Sequence, residues 1–231
     1  MAHSNASRRN VLFWLGSSLF SSAALAATEV DLALVLAIDC SLSVSEYDYK
    51  LQMRGTGQAI IDSGLQQVIE RGANRVIAVS VFLWSSPDTQ QVIVPWRVIR
   101  SGAAATALAD EIFAAPRTID SGATATGNAL AFAGELFRDA PVSERRVVDV
   151  STNGHANMGD PVPPIRDRLV ANGITINGLA VTDEEPNLVS YMLRDVIGGP
   201  GSFVIPANNY NAYTEAIRLK LFREISGLNT I

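Results

Sequence analysis

Residues 37–47 read AIDCSLSVSEY: an apolar run ends on Asp39, and Ser41 and Ser43 follow at every second position. In an extended turn leaving a strand, side chains two apart project to one side, so a carboxylate and two hydroxyls converge on one point. An all-oxygen group with few charges suits a hard divalent cation such as Mg2+. Thiophilic metals are poorly served, because Cys40 alternates to the opposite side. The same string also reads as a capped helix start, with Ser43 or Ser45 accepting from free backbone N–H groups and Ser43 and Glu46 at capping-box spacing. From the string alone the two readings weigh the same.

Two further segments carry oxygen side chains of the same kind. SGATATGNAL, residues 121–130, is expected in a loop that opens a helix and offers Thr124 and Thr126 beside glycines. STNGHANMGD, residues 151–160, follows an apolar strand and brings Asn153 to the same sheet edge. Asp149 lies inside that strand and shares a face with Ser151 and Asn153 by alternation. It reads either as a residue orienting the site or as a buried carboxylate satisfied by hydrogen bonds. His155 is a candidate pH-sensitive contact or base, and equally a polar loop residue. Trp84, at the end of a strand, is a candidate partner contact or a half-buried packing residue. Asp183, Glu184 and Glu185 read by default as a solvated helix start. Cys40 reads as a small buried residue.

Positioning these groups requires a sheet. Val30 to Ile38 is almost continuously apolar, as a strand covered on both faces should be. Ser45 to Ile61 predicts a helix, Arg75 to Trp84 a strand, and Gln91 to Val98 a strand confined to an edge by Pro95. Ala103 to Ala114 and Thr126 to Phe137 predict helices, Arg146 to Ser151 a strand, and Pro163 to Ala171 a helix stopped by Gly173. Ile174 to Val181 predicts a strand, Pro186 to Val196 a helix, Phe203 to Pro206 a short strand, and Tyr210 to Ile225 a closing helix. Such alternation predicts a three-layer α/β sandwich: a mostly parallel sheet of about six strands, an edge strand free to run antiparallel, and helices on both faces. Ligands of such sheets bind at the carboxyl ends of the strands, near the reversal of strand order.

A strand ending in DxSxS, a TxTG loop, and a strand ending in a small polar residue and glycine together resemble the von Willebrand factor type A (vWA) family. The resemblance runs from Val30 to about Ile225. RRVVDVSTNG and GGPGSFV look further like a bacterial exported branch of unassigned function. The resemblance implies a metal-ion-dependent adhesion site, MIDAS, in which Mg2+ or Mn2+ keeps one position open for an acidic side chain of a partner protein. Carried over, it nominates Asp39, Ser41, Ser43 and Thr124, with Thr126 behind them. Where the family usually reads Thr-Asp-Gly, this chain reads Thr152-Asn153-Gly154. Asn153 still offers a carbonyl oxygen, but one negative charge is missing. That implies weaker cation affinity and a more electropositive ion, and it also fits a degenerate site without metal.

Composition and targeting signals narrow the class. Within the 231 residues, Ser7 to Leu12 carries paired arginines, Val11 to Leu25 is apolar, and Ala24 to Ala26 offers a cleavage site. Residues 1–26 are thus expected to be an export signal of the twin-arginine type, leaving one domain over 27–231, periplasmic or secreted, with no stable membrane span. Losing Arg8 and Arg9 takes the net charge from −5 to −7 and speaks against nucleic-acid binding. Cys40 is the sole cysteine and excludes an internal disulfide, while His155 is the one histidine left after His3, so a multi-histidine zinc site is excluded. An enzyme is not expected. A metal-dependent hydrolase built on Asp39 is the runner-up, yet lysines occur only at 50 and 220 and no G-x-S-x-G elbow is present.

Overall fold

The computed structural model describes residues 29–227, and the export-signal reading of residues 1–26 lies outside the described residues. Six strands form one sheet in the order β3-β2-β1-β4-β5-β6. They are β1 (Val30–Asp39), β2 (Ile77–Trp84), β3 (Gln90–Ile99), β4 (Ser143–Thr152), β5 (Ile174–Val181) and β6 (Val204–Ala207). All neighbours run parallel except β2 and β3, which form an antiparallel edge. The helices are α1 (Glu46–Ile60), α2 (Ser63–Arg71), α3 (Gly102–Ala114), α4 (Thr126–Leu136), α5 (Val162–Ala171), α6 (Leu188–Tyr191) and α7 (Tyr213–Ser226). Among the described residues no helix is long and apolar enough to cross a membrane.

The apolar run of β1 places it at the centre, buried along its whole length. Leu32, Leu34, Leu36, Ile38 and Cys40 join the core under α1, α3 and α7. Val35 and Ala37 point the other way, into the core with Ala129 and Leu130 of α4 and Leu169 of α5. Asp39 continues this second series. The chain leaves β1 for β2 on one side and returns as β4 on the other, so the order reverses at β1 and the crevice opens beyond Asp39. Pro95 lies in β3, whose pairing with β2 is irregular around Val79 and Val81; the Ser80 hydroxyl donates to the Val94 carbonyl there at 2.9 Å.

Several elements differ from expectation. Helix α2 has no counterpart in the sequence reading: only Leu65 and Ile69, one turn apart, are buried. Strand β2 starts at Ile77, because Arg75 adopts a left-handed conformation (φ 56°) that interrupts the extended chain. The box capping α1 uses Ser45 and Asp48: the Ser45 N–H donates to Asp48 and the Asp48 N–H to the Ser45 hydroxyl, both at 3.2 Å. Ser43, expected in that role, is engaged elsewhere. The helix expected from Pro186 is shorter, α6 passing into a π-helical turn at Met192–Val196. Asp183, Glu184 and Glu185 therefore lie in the loop between β5 and α6, not at a helix start.

Candidate functional site

Asp39 ends β1 fully buried. One carboxylate oxygen accepts the Ser41 N–H at 2.7 Å and the other the Thr152 hydroxyl at 2.6 Å. Burial pushes the Asp39 pKa up against these bonds, which favour the charged form. Gln52 of α1 donates to the Asp39 carbonyl at 3.2 Å and fixes the turn from behind.

The alternation read from DCSLS brings Ser41 and Ser43 to one side, with their hydroxyls 3.3 Å apart. Ser43 donates to the side-chain oxygen of Asn153 at 2.8 Å, joining the loop after β1 to the loop after β4. Thr124 is buried in the loop before α4. An ideal Cβ at Gly154 would stand 3.7 Å from its hydroxyl oxygen, so the side chain faces the end of β4. The Leu42 N–H donates to the Gly122 carbonyl at 3.0 Å and closes this loop over the first. Ser41, Ser43, Thr124 and Asn157 line a shallow open depression there. The structure thus gathers Asp39, Ser41, Ser43, Thr124 and Asn153 beyond the carboxyl ends of β1 and β4.

The other candidates fall elsewhere. Trp84 is 0% exposed and packs with Phe82 and Ala37 in the core. It is no partner contact, because its place in register with Asp39 and Gln90 puts it under the loops. Asp149 does not orient the site. In register with Leu36, it faces α7, where the Lys220 amine lies 2.7 Å from its carboxylate and 2.6 Å from that of Glu224. Thr126 is buried at the first position of α4 against Tyr191. His155 is half-exposed, edge-on to the Tyr191 ring at 4.5 Å and 4.0 Å from Glu185. The Cys40 thiol is sealed in the core, its pKa pushed up to about 12 by burial and by the charge of Asp39.

Two residues were not foreseen. Thr152 holds Asp39, and alternation from Val148 and Val150 could have placed it on that face. Asn157 pins the Thr124 loop: its side-chain oxygen accepts the Thr124 N–H at 2.9 Å and its own N–H donates to the Thr124 carbonyl at 3.0 Å. No sequence signal marks Asn157.

Every side chain gathered here is an oxygen donor, and one carboxylate supplies the charge. Among the described residues no group of three or more His, Cys, Asp or Glu could hold a metal ion. The set therefore fits a hard cation held by hydroxyl and amide oxygens, and it does not fit a thiophilic one.

Solved structures with the same fold include proximal thread matrix protein 1 from the mussel byssus, 14% identical with a TM-score of 0.66 over 86% of this chain and 49% of that one. Another form of that protein has a zinc-occupied MIDAS motif and is 16% identical, with a TM-score of 0.62 over 86% and 48%. A von Willebrand factor type A protein from Catenulispora acidiphila is 18% identical, with a TM-score of 0.57 over 85% and 43%. The pilus adhesin SpaC from Lactobacillus rhamnosus GG is 14% identical, with a TM-score of 0.60 over 85% and 30%. The chain thus spans about half or less of these proteins, and at such identities the likeness establishes the fold, which is vWA-like. No curated protein matches. A protein-family comparison matches residues 29–229, and the chain belongs to the family described as protein of unknown function DUF1194.

Proposed function

We propose that this chain is an exported protein-binding module. Asp39, Ser41, Ser43, Thr124 and Asn153 hold Mg2+ or Mn2+, and the ion's open position accepts an acidic side chain of a partner protein. The convergence of these five side chains at the reversal of strand order carries the reading. Support for a binding role comes from the SpaC adhesin and the zinc-occupied MIDAS among the structural neighbours. Asn153 leaves the ion with less countercharge, which favours an anionic group in the open position. The paired arginines and apolar stretch within residues 1–26 support export of the module from the cytoplasm.

Calorimetric titration of Mg2+ and Mn2+ into the chelator-treated protein tests the cation. Heat lost in both Asp39→Ala and Ser43→Ala supports the reading, and a folded protein that takes up neither ion refutes it. A second reading rests on the Ser43 to Asn153 hydrogen bond, which closes the cluster on itself. On that reading the site is degenerate and binds without metal. A metal-dependent hydrolase would instead turn over a phosphoester panel in a manner abolished by Asp39→Ala.

A further inference from the structure

The ionised side chains of this fold are segregated along the strand direction. Five connections at the carboxyl ends of the parallel strands carry acid. Glu46 and Asp48 open α1, and Asp88 sits in the β2–β3 turn. Asp120 precedes α4, Asp160 precedes α5, and Asp183 to Glu185 follow β5. Arg117 and His155 are the basic residues of these loops; the Arg117 guanidinium donates to the Val44 and Ile119 carbonyls, and His155 lies 4.0 Å from Glu185. Lys50, one turn into α1, pairs with Glu46 at 3.1 Å. The candidate cation site thus lies inside an acidic crown. Such a crown concentrates cations and repels a partner that is acidic throughout.

The opposite end of the sheet has the reverse character. Arg75 precedes β2, Arg100 follows β3, Arg138 follows α4, Arg145 and Arg146 open β4, and Arg168 lies in the last turn of α5. The exposed acids at this end are Glu29, Glu70, Glu135, which pairs with Arg138, Asp139, Glu144 and Asp167 beside Arg168, fewer than the arginines around them. Glu144 stands on the rim of a hollow of about 330 Å3 that Arg145, Arg146 and Arg223 also line. Val142, beside it in the chain, is 59% exposed, and Leu42, between the two site serines, is 74% exposed. Each pole therefore offers an apolar side chain next to its charged groups.

We propose that the partner of the candidate site is a second copy of this chain: the acidic crown of one copy docks on the arginine-rich pole of the next, and Glu144 of that pole supplies the carboxylate. This rests on the cation-site reading above and names the partner for it. A crown-to-pole contact joins two different surfaces, so it is heterologous, and unless a rotation closes it into a ring the product grows by addition. The acids make the contact selective, since only a carboxylate set among bases approaches them without repulsion.

Sedimentation of the purified chain tests this. At about 0.01 M salt the Debye length is about 30 Å. With Mg2+ or Mn2+ present, the average mass should then rise with concentration past that of a dimer, and chelator should lower it. At about 1 M salt, where the Debye length falls to about 3 Å, the chain should be monomeric. Glu144→Gln should weaken association at least tenfold, while cation binding measured by calorimetry at about 1 M salt, where the chain is monomeric, stays that of the parent. A crown variant (Asp183→Lys with Glu184→Lys) and a pole variant (Arg138→Glu with Arg168→Glu) should each stay monomeric alone and associate when mixed. A chain that binds the cation yet stays monomeric in low salt overturns the self-association and leaves the cation site standing. A closed dimer, or association indifferent to Glu144→Gln, also overturns it. Absence of cation binding removes the site on which the proposal rests.

Discussion

Replacing Asn153 by aspartate returns a negative charge to the candidate site with little change of shape. Asn153 is 3% exposed, and its side-chain oxygen already accepts from Ser43 at 2.8 Å, a bond that a carboxylate also accepts. At an effective dielectric of about 20, unit charges about 4 Å apart interact by about 4 kcal/mol, and a divalent ion doubles that. Repulsion from Asp39 and the cost of burying a second carboxylate take back most of the gain. We expect a net of about 1.5–3 kcal/mol, that is, Mg2+ or Mn2+ binding roughly 10- to 100-fold tighter. Without metal the sign reverses, because two buried carboxylates face each other and each opposes ionisation of the other. Chelator-treated Asn153→Asp should therefore unfold at lower urea than the parent and recover when the cation is added. Calorimetry on the parent, Asn153→Asp and Asp39→Ala with Asn153→Asp measures the first effect, and urea titration with and without cation the second. Equal affinities in a folded Asn153→Asp, or tightening that persists when Asp39 is alanine, would refute the reasoning.

The remaining predictions concern what holds the site and the helix behind it. Thr152→Val keeps the shape but removes the hydroxyl 2.6 Å from Asp39, leaving a buried carboxylate oxygen without that partner. It should cost about 1–3 kcal/mol by urea denaturation. Glu224 is pushed up to about 7, first by burial, with the pull of Lys220 opposing and the charge of Asp149 adding. The folded chain thus keeps a proton that the unfolded chain releases near the ordinary value of 4.5. Stability from this group should fall as pH rises from about 4.5 to about 7 and change little above that. Denaturation midpoints at a series of pH values check the slope, and Glu224→Gln should flatten it. Lys220→Met removes the cation between two buried carboxyl groups and should cost about 3–5 kcal/mol, more at pH 8 than at pH 5.

Much of the architecture is legible because it rests on chain-local signals. The run Val30 to Ile38 forces burial on both faces and hence the central place of β1. Ile174–Val181 forms a strand with the expected bounds, and Gly173 (φ 74°) ends the preceding helix. Pro95 marks the edge strand. What local pattern does not carry is the register between strands. Alternation correctly groups Asp149 with Ser151, but Asp149 pairs with Leu36, which assigns that face to the core under α7 and not to Asp39. The same parity puts Thr152 on Asp39. A one-residue shift would exchange these roles, and nothing within either segment fixes it. The burial of Trp84 is hidden for a similar reason, since it depends on loops far along the chain. Ser43 left its expected cap because Asn153, 110 residues on, offers it an acceptor.

The sole cysteine of the chain sits between Asp39 and Ser41, fully buried, with its N–H bonded to the Trp84 carbonyl at 2.8 Å. A neutral, sealed thiol meets an alkylating reagent only when the turn after β1 swings open. Its rate of modification is therefore a clock for excursions of that turn, readable in the untagged protein. Any ion or partner that clamps the loop slows the clock by the factor with which it suppresses opening, so Cys40 converts occupancy of its neighbours into a rate.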